Sequence, residues 1–123
     1  MRWKMPGVPS ASSSELLMVR EISVLELSAA RVRGEKPLVL DVREDWELQL
    51  ARIPDVVHVP MSQLPSRLAE FERGTPIIVM CHAGGRSLRV AHFLVNQGFT
   101  DVANLTGGIS AWSLSVDATV PQY

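Results

Sequence analysis

The chain has little cysteine, little net charge and no long apolar run. Its 123 residues include one cysteine, Cys81, which excludes an internal disulfide, a multi-cysteine zinc site and a second thiol to resolve an oxidised first one. The net charge of −1 gives no global electrostatic reason to bind nucleic acid or an anionic membrane. No run approaches the ~20 apolar residues that span a bilayer. We therefore expect a cytoplasmic protein that keeps its thiol reduced and binds neither nucleic acid nor membrane.

The amino-terminal segment lacks the pattern of a secretory signal. Arg2 and Lys4 resemble a positive n-region, but prolines, a glycine and a serine cluster follow them instead of ~7–15 apolar residues. This composition predicts a disordered tail over residues 1–18. The remaining residues, 19–123, have a length typical of one domain.

Short apolar runs alternate with helical patterns along this domain. Ser23 and Glu26 form a capping box that predicts the start of the first helix. The predicted strands are residues 38–42, 56–59, 75–80 and 101–105, and the predicted helices are residues 23–33, 45–50, 62–71, 86–96 and 107–114. The alternation predicts an α/β fold with a parallel sheet covered by helices on both faces.

The lone cysteine directly follows the most apolar predicted strand. In parallel sheets, ligands bind outside the carboxyl ends of the strands. The pattern therefore places Cys81 at the edge of the sheet where a ligand is expected. The alternative is that Cys81 is a small buried hydrophobic residue, which is the commoner fate of a free cysteine.

The residues after Cys81 favour a reactive thiol. They are His82, Ala83, Gly84, Gly85, Arg86 and Ser87. Two glycines allow backbone amides to turn inward as an anion-binding nest, and the next helix begins here with its positive end towards the loop. Because the thiolate is the nucleophilic form of cysteine, such a loop suits catalysis. Arg86 is expected to bind an anion rather than only to lie on the surface. Ser87 fits either a helix cap, which we favour, or a hydrogen bond to the sulfur, and His82 fits either a substrate contact or an exposed loop position.

Four motifs resemble the single-domain rhodaneses, which are thiosulfate sulfurtransferases. They are CHAGGRS at the cysteine, LVLDVREDWE, ARIPDVVHVPMSQL and LTGGISAW, and they occur in the family's order over residues 22–112. The resemblance implies five parallel strands between helices. It also implies that Cys81 accepts sulfane sulfur from thiosulfate as a persulfide and passes it to cyanide or a thiol, without metal or organic cofactor. Asp41 and Arg43 would hold neighbouring loops together.

Two other functions use related chemistry. Phosphatases of the same architecture resemble the pattern C-x5-R, and the C-x4-R spacing from Cys81 to Arg86 is one residue shorter, which disfavours a phosphate-sized loop. The remaining alternative is a persulfide carrier or sulfide-sensing module that passes sulfur to a partner protein in a relay, with little turnover of thiosulfate. The motifs fit both this carrier and the enzyme.

Overall fold

The computed structural model describes residues 19–123, so the predicted tail at residues 1–18 lies outside the described residues. Five strands form one sheet in the order β1-β5-β4-β2-β3, and every neighbouring pair is parallel. The strands are β1 (Arg20–Ile22), β2 (Leu38–Asp41), β3 (Val57–His58), β4 (Ile77–Met80) and β5 (Val102–Leu105). The predicted α/β architecture with a parallel sheet is confirmed.

Within the described part of the chain, five α-helices connect and cover the strands. They are α1 (Val24–Val32), α2 (Asp45–Leu50), α3 (Leu64–Arg67), α4 (Gly85–Asn96) and α5 (Gly108–Ser115), with single 3-10 turns at Met61–Gln63 and Leu68–Glu70. The predicted capping box is present at α1. The Glu26 amide donates to Ser23 Oγ at 3.1 Å, and the Ser23 amide donates to Glu26 Oε1 at 3.2 Å.

One prediction of local structure was wrong, and one strand was not predicted. Residues 62–71 do not form one helix, because the backbone at Arg67 leaves the helical region at φ −114° and ψ 8°, which confines α3 to four residues. The sequence pattern also missed β1. That strand is three residues long, too short to show an alternation of apolar and polar residues.

Apolar side chains on both faces of the sheet pack against helices. On one face, residues such as Val39, Ile78 and Leu105 belong to a core shared with α1 and α5. On the other face, residues such as Leu40 and Val79 pack with α4. Every residue of β4 is buried, as expected of the central strand of a parallel sheet with both faces covered.

The carboxyl ends of three neighbouring strands meet at one edge of the sheet. Asp41 at the end of β2 is level with Met80, the last residue of β4, and Asn104 of β5 is level with Val79. Cys81 therefore leaves the central strand between two strand ends that carry polar side chains. Among residues 19–123, no helix is both long and apolar enough to cross a bilayer.

Candidate active site

The Cys81 side chain lies at the base of a tight loop. The residue is 1% exposed, and the Gly84 amide donates to its Sγ at 3.1 Å. Gly84 is the N-cap of α4 and has a φ of 111°, a conformation that glycine adopts without the cost a Cβ would add. The loop thus aims a backbone donor at the sulfur from the amino-terminal end of a helix, where partial positive charge accumulates.

The Ser87 hydroxyl forms a second contact with the sulfur. Its Oγ lies 3.2 Å from Cys81 Sγ and 2.5 Å from Asn104 Oδ1. The favoured prediction that Ser87 caps the helix was wrong, because Gly84 occupies the N-cap and Ser87 lies within the first turn. The alternative, a contact between Ser87 and the sulfur, is present. Asn104 was not identified from the sequence, since its contact depends on the pairing of β4 with β5.

Opposing influences act on the acidity of Cys81. Burial raises the pKa of the Cys81 thiol, whereas the amides of Ser87, Gly84 and Ala83 lower it, and so does the Ser87 hydroxyl when it donates to the sulfur. With the Ser87 hydroxyl donating to the sulfur, the net direction is downward from the ordinary value. The loop therefore favours the thiolate, as nucleophilic cysteine chemistry requires.

Arg86 closes the loop through a paired contact with Glu47 of α2. Arg86 Nη1 and Nη2 donate to the two carboxylate oxygens of Glu47, each at 2.7 Å. The Glu47 side chain is 2% exposed and that of Arg86 is 32% exposed. This bidentate pair fixes the start of α4 against α2. Glu47 was missed because no pattern in the segment DWELQL distinguishes a buried carboxylate from an exposed one.

Glu47 also makes the fold sensitive to acid. The Arg86 guanidinium is the main cause that lowers the pKa of Glu47 from 4.5 to about 2, with burial opposing it. Because the folded pKa lies below the unfolded one, this carboxylate stabilises the fold above pH 4.5 and loses that effect as the pH falls towards 2.

We therefore expect Glu47→Gln to flatten the dependence of unfolding free energy on pH between about 4.5 and 2. Denaturant titrations across this range measure the effect. Glu70→Gln is the matched control, because Glu70 pairs bidentately with Arg67 on the surface. Parallel curves for wild type and Glu47→Gln would contradict the assignment.

Asp41 and Arg43 form a buried ion pair beside the loop. Both side chains are fully buried, and Arg43 Nη2 lies 2.8 Å from Asp41 Oδ2. Arg43 Nε donates to the same carboxylate, and Nη1 donates to the Tyr123 hydroxyl at 3.0 Å. Tyr123 donates in turn to Glu47 Oε1 at 2.9 Å. These contacts connect the end of β2 to α2 and to the last residue of the chain.

His82 forms part of an aromatic wall. Its ring stacks on the Tyr123 ring with centroids 4.0 Å apart and planes 10° apart. Trp46 meets the same tyrosine edge-on at 6.5 Å and is 61% exposed. No group of three or more histidine, cysteine, aspartate or glutamate side chains within residues 19–123 is arranged to hold a metal ion.

The amino-terminal end of α5 contacts the loop that begins at Cys81. The Ile109 amide donates to the Cys81 carbonyl and the Ser110 amide to the His82 carbonyl, both at 3.0 Å. Gly108, with a φ of 57°, allows this approach, because a Cβ there would lie 2.3 Å from the Cys81 carbonyl oxygen. Gly108, the second glycine of LTGGISAW, thus allows a helix end to lie against the loop.

Comparison with known proteins agrees with this geometry. The family model for the rhodanese-like domain matches residues 24–115. The chain belongs to the rhodanese-like family. A sulfurtransferase of Allochromatium vinosum is 35% identical over 96 residues, covering 78% of this chain and 90% of that protein. The thiosulfate sulfurtransferase GlpE of Pseudomonas savastanoi pv. phaseolicola is 33% identical over 84 residues, covering 68% and 79% respectively.

One solved structure and one longer protein are also similar to this chain. The solved structure of a rhodanese-like domain protein from Staphylococcus aureus is 28% identical, with a TM-score of 0.74 over 85% of this chain and 99% of that one. The Rhodanese-like/PpiC domain-containing protein 12 of Arabidopsis thaliana is 37% identical over 117 residues, but the match spans only 39% of its length. The resemblance seen in the sequence is confirmed, and the chain is a member of a family of sulfurtransferases.

Proposed function

We propose that the chain transfers sulfane sulfur from thiosulfate, or a similar donor, to cyanide or a thiol through a persulfide on Cys81. The observation that carries this proposal is the Gly84 amide aimed at the buried Cys81 sulfur at 3.1 Å. A backbone amide in this position stabilises the negative charge of the Cys81 thiolate by donating a hydrogen bond, not by acting as a general base. The names of the Allochromatium and Pseudomonas relatives support the same chemistry.

The reaction consists of two displacements at sulfur. The Cys81 thiolate attacks the outer sulfur of thiosulfate, the sulfur–sulfur bond of thiosulfate breaks, and sulfite leaves with the bonding electron pair. The acceptor then attacks the outer sulfur of the Cys81 persulfide, and Cys81 leaves as the thiolate. Cyanide becomes thiocyanate by this step. Dividing the transfer in two is covalent catalysis and needs neither a metal nor an organic cofactor.

In this proposal, Cys81 and the loop backbone that follows it have separate roles. Cys81 carries the sulfur, and the backbone from His82 to Ser87 surrounds the space above it. Since the cycle begins from a reduced thiol, we place it in the cytoplasm.

Intact mass spectrometry tests the proposal directly. Thiosulfate treatment should add one sulfur atom, about 32 Da, and the added mass should map to the peptide that contains Cys81. Cyanide or a reducing thiol should remove it. If wild type gains no mass, or if the added sulfur survives cyanide, the proposal is wrong.

Arg86 is proposed to help bind the anionic donor as well as to pair with Glu47. Arg86→Ala should slow loading by thiosulfate by about one to two decades, the effect of losing one charge-assisted contact. Discharge of a preformed persulfide should suffer less, because the loop amides remain. Stopped-flow measurements on empty and preloaded protein separate the two steps.

Two further variants check this role of Arg86. Arg89→Ala removes an exposed arginine one turn further along α4 and should leave loading unchanged. Arg86→Lys should rescue loading only in part, since an ammonium lacks the planar fork of arginine. Unimpaired loading by a folded Arg86→Ala protein would assign Arg86 to structure alone.

A persulfide carrier with slow thiosulfate turnover is the second candidate. One observation favours it: Glu47 neutralises Arg86, and Asp41 neutralises Arg43, so the loop offers little excess positive charge to a dianion. Trp46, exposed beside the loop, suits a protein acceptor in a sulfur relay. Thiocyanate production distinguishes the two, since a carrier would load with sulfur but turn over slowly.

A further inference from the structure

The Ser87 hydroxyl faces two groups that both compete for its single proton. Cys81 Sγ lies at 3.2 Å and Asn104 Oδ1 at 2.5 Å. An amide oxygen only accepts hydrogen bonds. At 2.5 Å, a proton must lie between Ser87 Oγ and Asn104 Oδ1, because two bare oxygens would repel each other. Ser87 therefore donates to Asn104 and presents a lone pair to the sulfur.

The orientation of the Asn104 amide follows from its other partners. Asn104 Nδ2 donates to the Gly84 carbonyl at 3.2 Å and to Glu21 Oε1 at 3.2 Å. Both partners are acceptors only, so a flipped amide would set oxygen against oxygen. Asn104 is 3% exposed and Ser87 is fully buried. Water therefore has little access to replace the hydrogen bonds of either side chain.

We propose that Asn104 is a positioning residue that directs the Ser87 hydroxyl proton away from the catalytic sulfur. This inference rests on the role of Cys81 in the proposed function, but it concerns a residue pair to which that function assigns nothing. In the thiol state, the Cys81 S–H donates to Ser87 Oγ. In the persulfide state, Cys81 Sγ has no proton and needs no donor. Only the thiolate would gain if Ser87 turned its proton towards the sulfur.

This arrangement limits how far the loop stabilises the thiolate. The backbone amides oppose the rise that burial causes in the pKa of Cys81, whereas the contribution from the Ser87 hydroxyl is withheld by Asn104. A thiolate that is stabilised less is intrinsically the stronger nucleophile. Asn104 therefore keeps the Cys81 thiolate strongly nucleophilic, while the fraction of Cys81 present as thiolate is smaller than it would be if Ser87 donated to the sulfur.

Ionisable groups around the loop also influence the acidity of Cys81. On the loop and α4 they are His82 and Arg86; from β1, α2, the end of β2 and the carboxyl terminus they are Glu21, Glu47, Asp41, Arg43 and Tyr123. Substitution of Asn104 by leucine alters none of these charges. The Gly84 carbonyl also accepts from the Leu88 amide at 3.1 Å, so the loop keeps its anchor in α4.

The pH dependence of alkylation by iodoacetamide tests the proposal. Asn104→Leu has a similar shape, cannot accept a hydrogen bond and fills the space that water would otherwise enter. It should free Ser87 to donate to the thiolate and lower the pKa of Cys81 by about one unit, a tenfold change in ionisation. The double variant Asn104→Leu/Ser87→Ala should lose this shift. An unchanged or raised pKa in Asn104→Leu would overturn the proposal.

Ser87→Ala decides the question even if the leucine variant fails to fold. If Ser87 donated to the thiolate in the native protein, its removal would raise the pKa of Cys81. The proposal requires that Ser87→Ala produce no rise, and any rise beyond experimental error overturns it. Ser113→Ala is the matched control, because Ser113 is a buried serine that donates to the Val120 carbonyl, away from the sulfur.

The alkylation experiment is independent of sulfur transfer. If Cys81 takes up no sulfur from thiosulfate, the proposed function fails, while the alkylation profiles still report the direction of the Ser87 proton. If Cys81 takes up sulfur normally and Ser87→Ala raises the pKa, the assignment of Asn104 fails by itself.

Discussion

Cys81→Ser is expected to abolish sulfur transfer. A serine hydroxyl at neutral pH is neither ionised nor able to form a persulfide, so thiocyanate production from thiosulfate and cyanide should fall by about 10³-fold or more. The fold should survive, because a hydroxyl of similar size can accept the Gly84 amide that now reaches Sγ at 3.1 Å. A coupled colorimetric assay for thiocyanate measures the loss.

Thermal unfolding supplies the control for this variant. Similar melting temperatures for wild type and Cys81→Ser would assign the loss of activity to chemistry rather than to folding. Turnover by a folded Cys81→Ser protein at a rate near that of wild type would disprove covalent catalysis at this residue.

Gly108→Ala is expected to reduce both stability and sulfur transfer. The new Cβ would lie 2.3 Å from the Cys81 carbonyl oxygen and 2.6 Å from the His82 carbonyl oxygen. Backbone must therefore move, either in the catalytic loop or at the start of α5. We expect a loss of about 2–4 kcal/mol of unfolding free energy from overpacking and left-handed backbone strain together. Denaturant unfolding and the thiocyanate assay measure the two effects.

Gly85→Ala is the matched control for stability. Gly85 also lies in the loop, but within residues 19–123 no heavy atom other than those of its chain neighbours and its own helix backbone lies within 4 Å of its hypothetical Cβ. Because it begins α4, alanine should leave the unfolding free energy equal or slightly higher. Equal stability of Gly108→Ala and Gly85→Ala would show that α5 can move away from the loop without cost.

Much of the fold followed from local patterns in the sequence. The capping box at Ser23 and the apolar run before Cys81 each act within a few residues, so the sequence alone predicts the elements that they bound. Failures occurred where tertiary context decides the local structure. The strand β1 forms only because β5 accepts it as a partner.

In the candidate site too, residues close together in the sequence were predicted and residues brought together by the fold were not. The loop after Cys81 was predicted because its glycines, arginine and serine are contiguous. Glu47, Asn104 and Tyr123 were not predicted, because each reaches the loop from a separate element more than fifteen positions away. No periodicity in a single sequence reports which distant polar residues will converge when strands pair.

The pairing of β1 with β5 has a consequence for how the chain folds. Glu21 and Asn104 are 83 positions apart in sequence, so closing this contact before the intervening strands assemble would cost much chain entropy. We therefore expect β1 to dock late, after β2, β4 and β5 have formed. An edge strand of three residues is also among the first elements to detach in native-state fluctuations. Amide hydrogen exchange in β1 should accordingly be faster than in β4, and each such opening would release one of the two acceptors that orient Asn104.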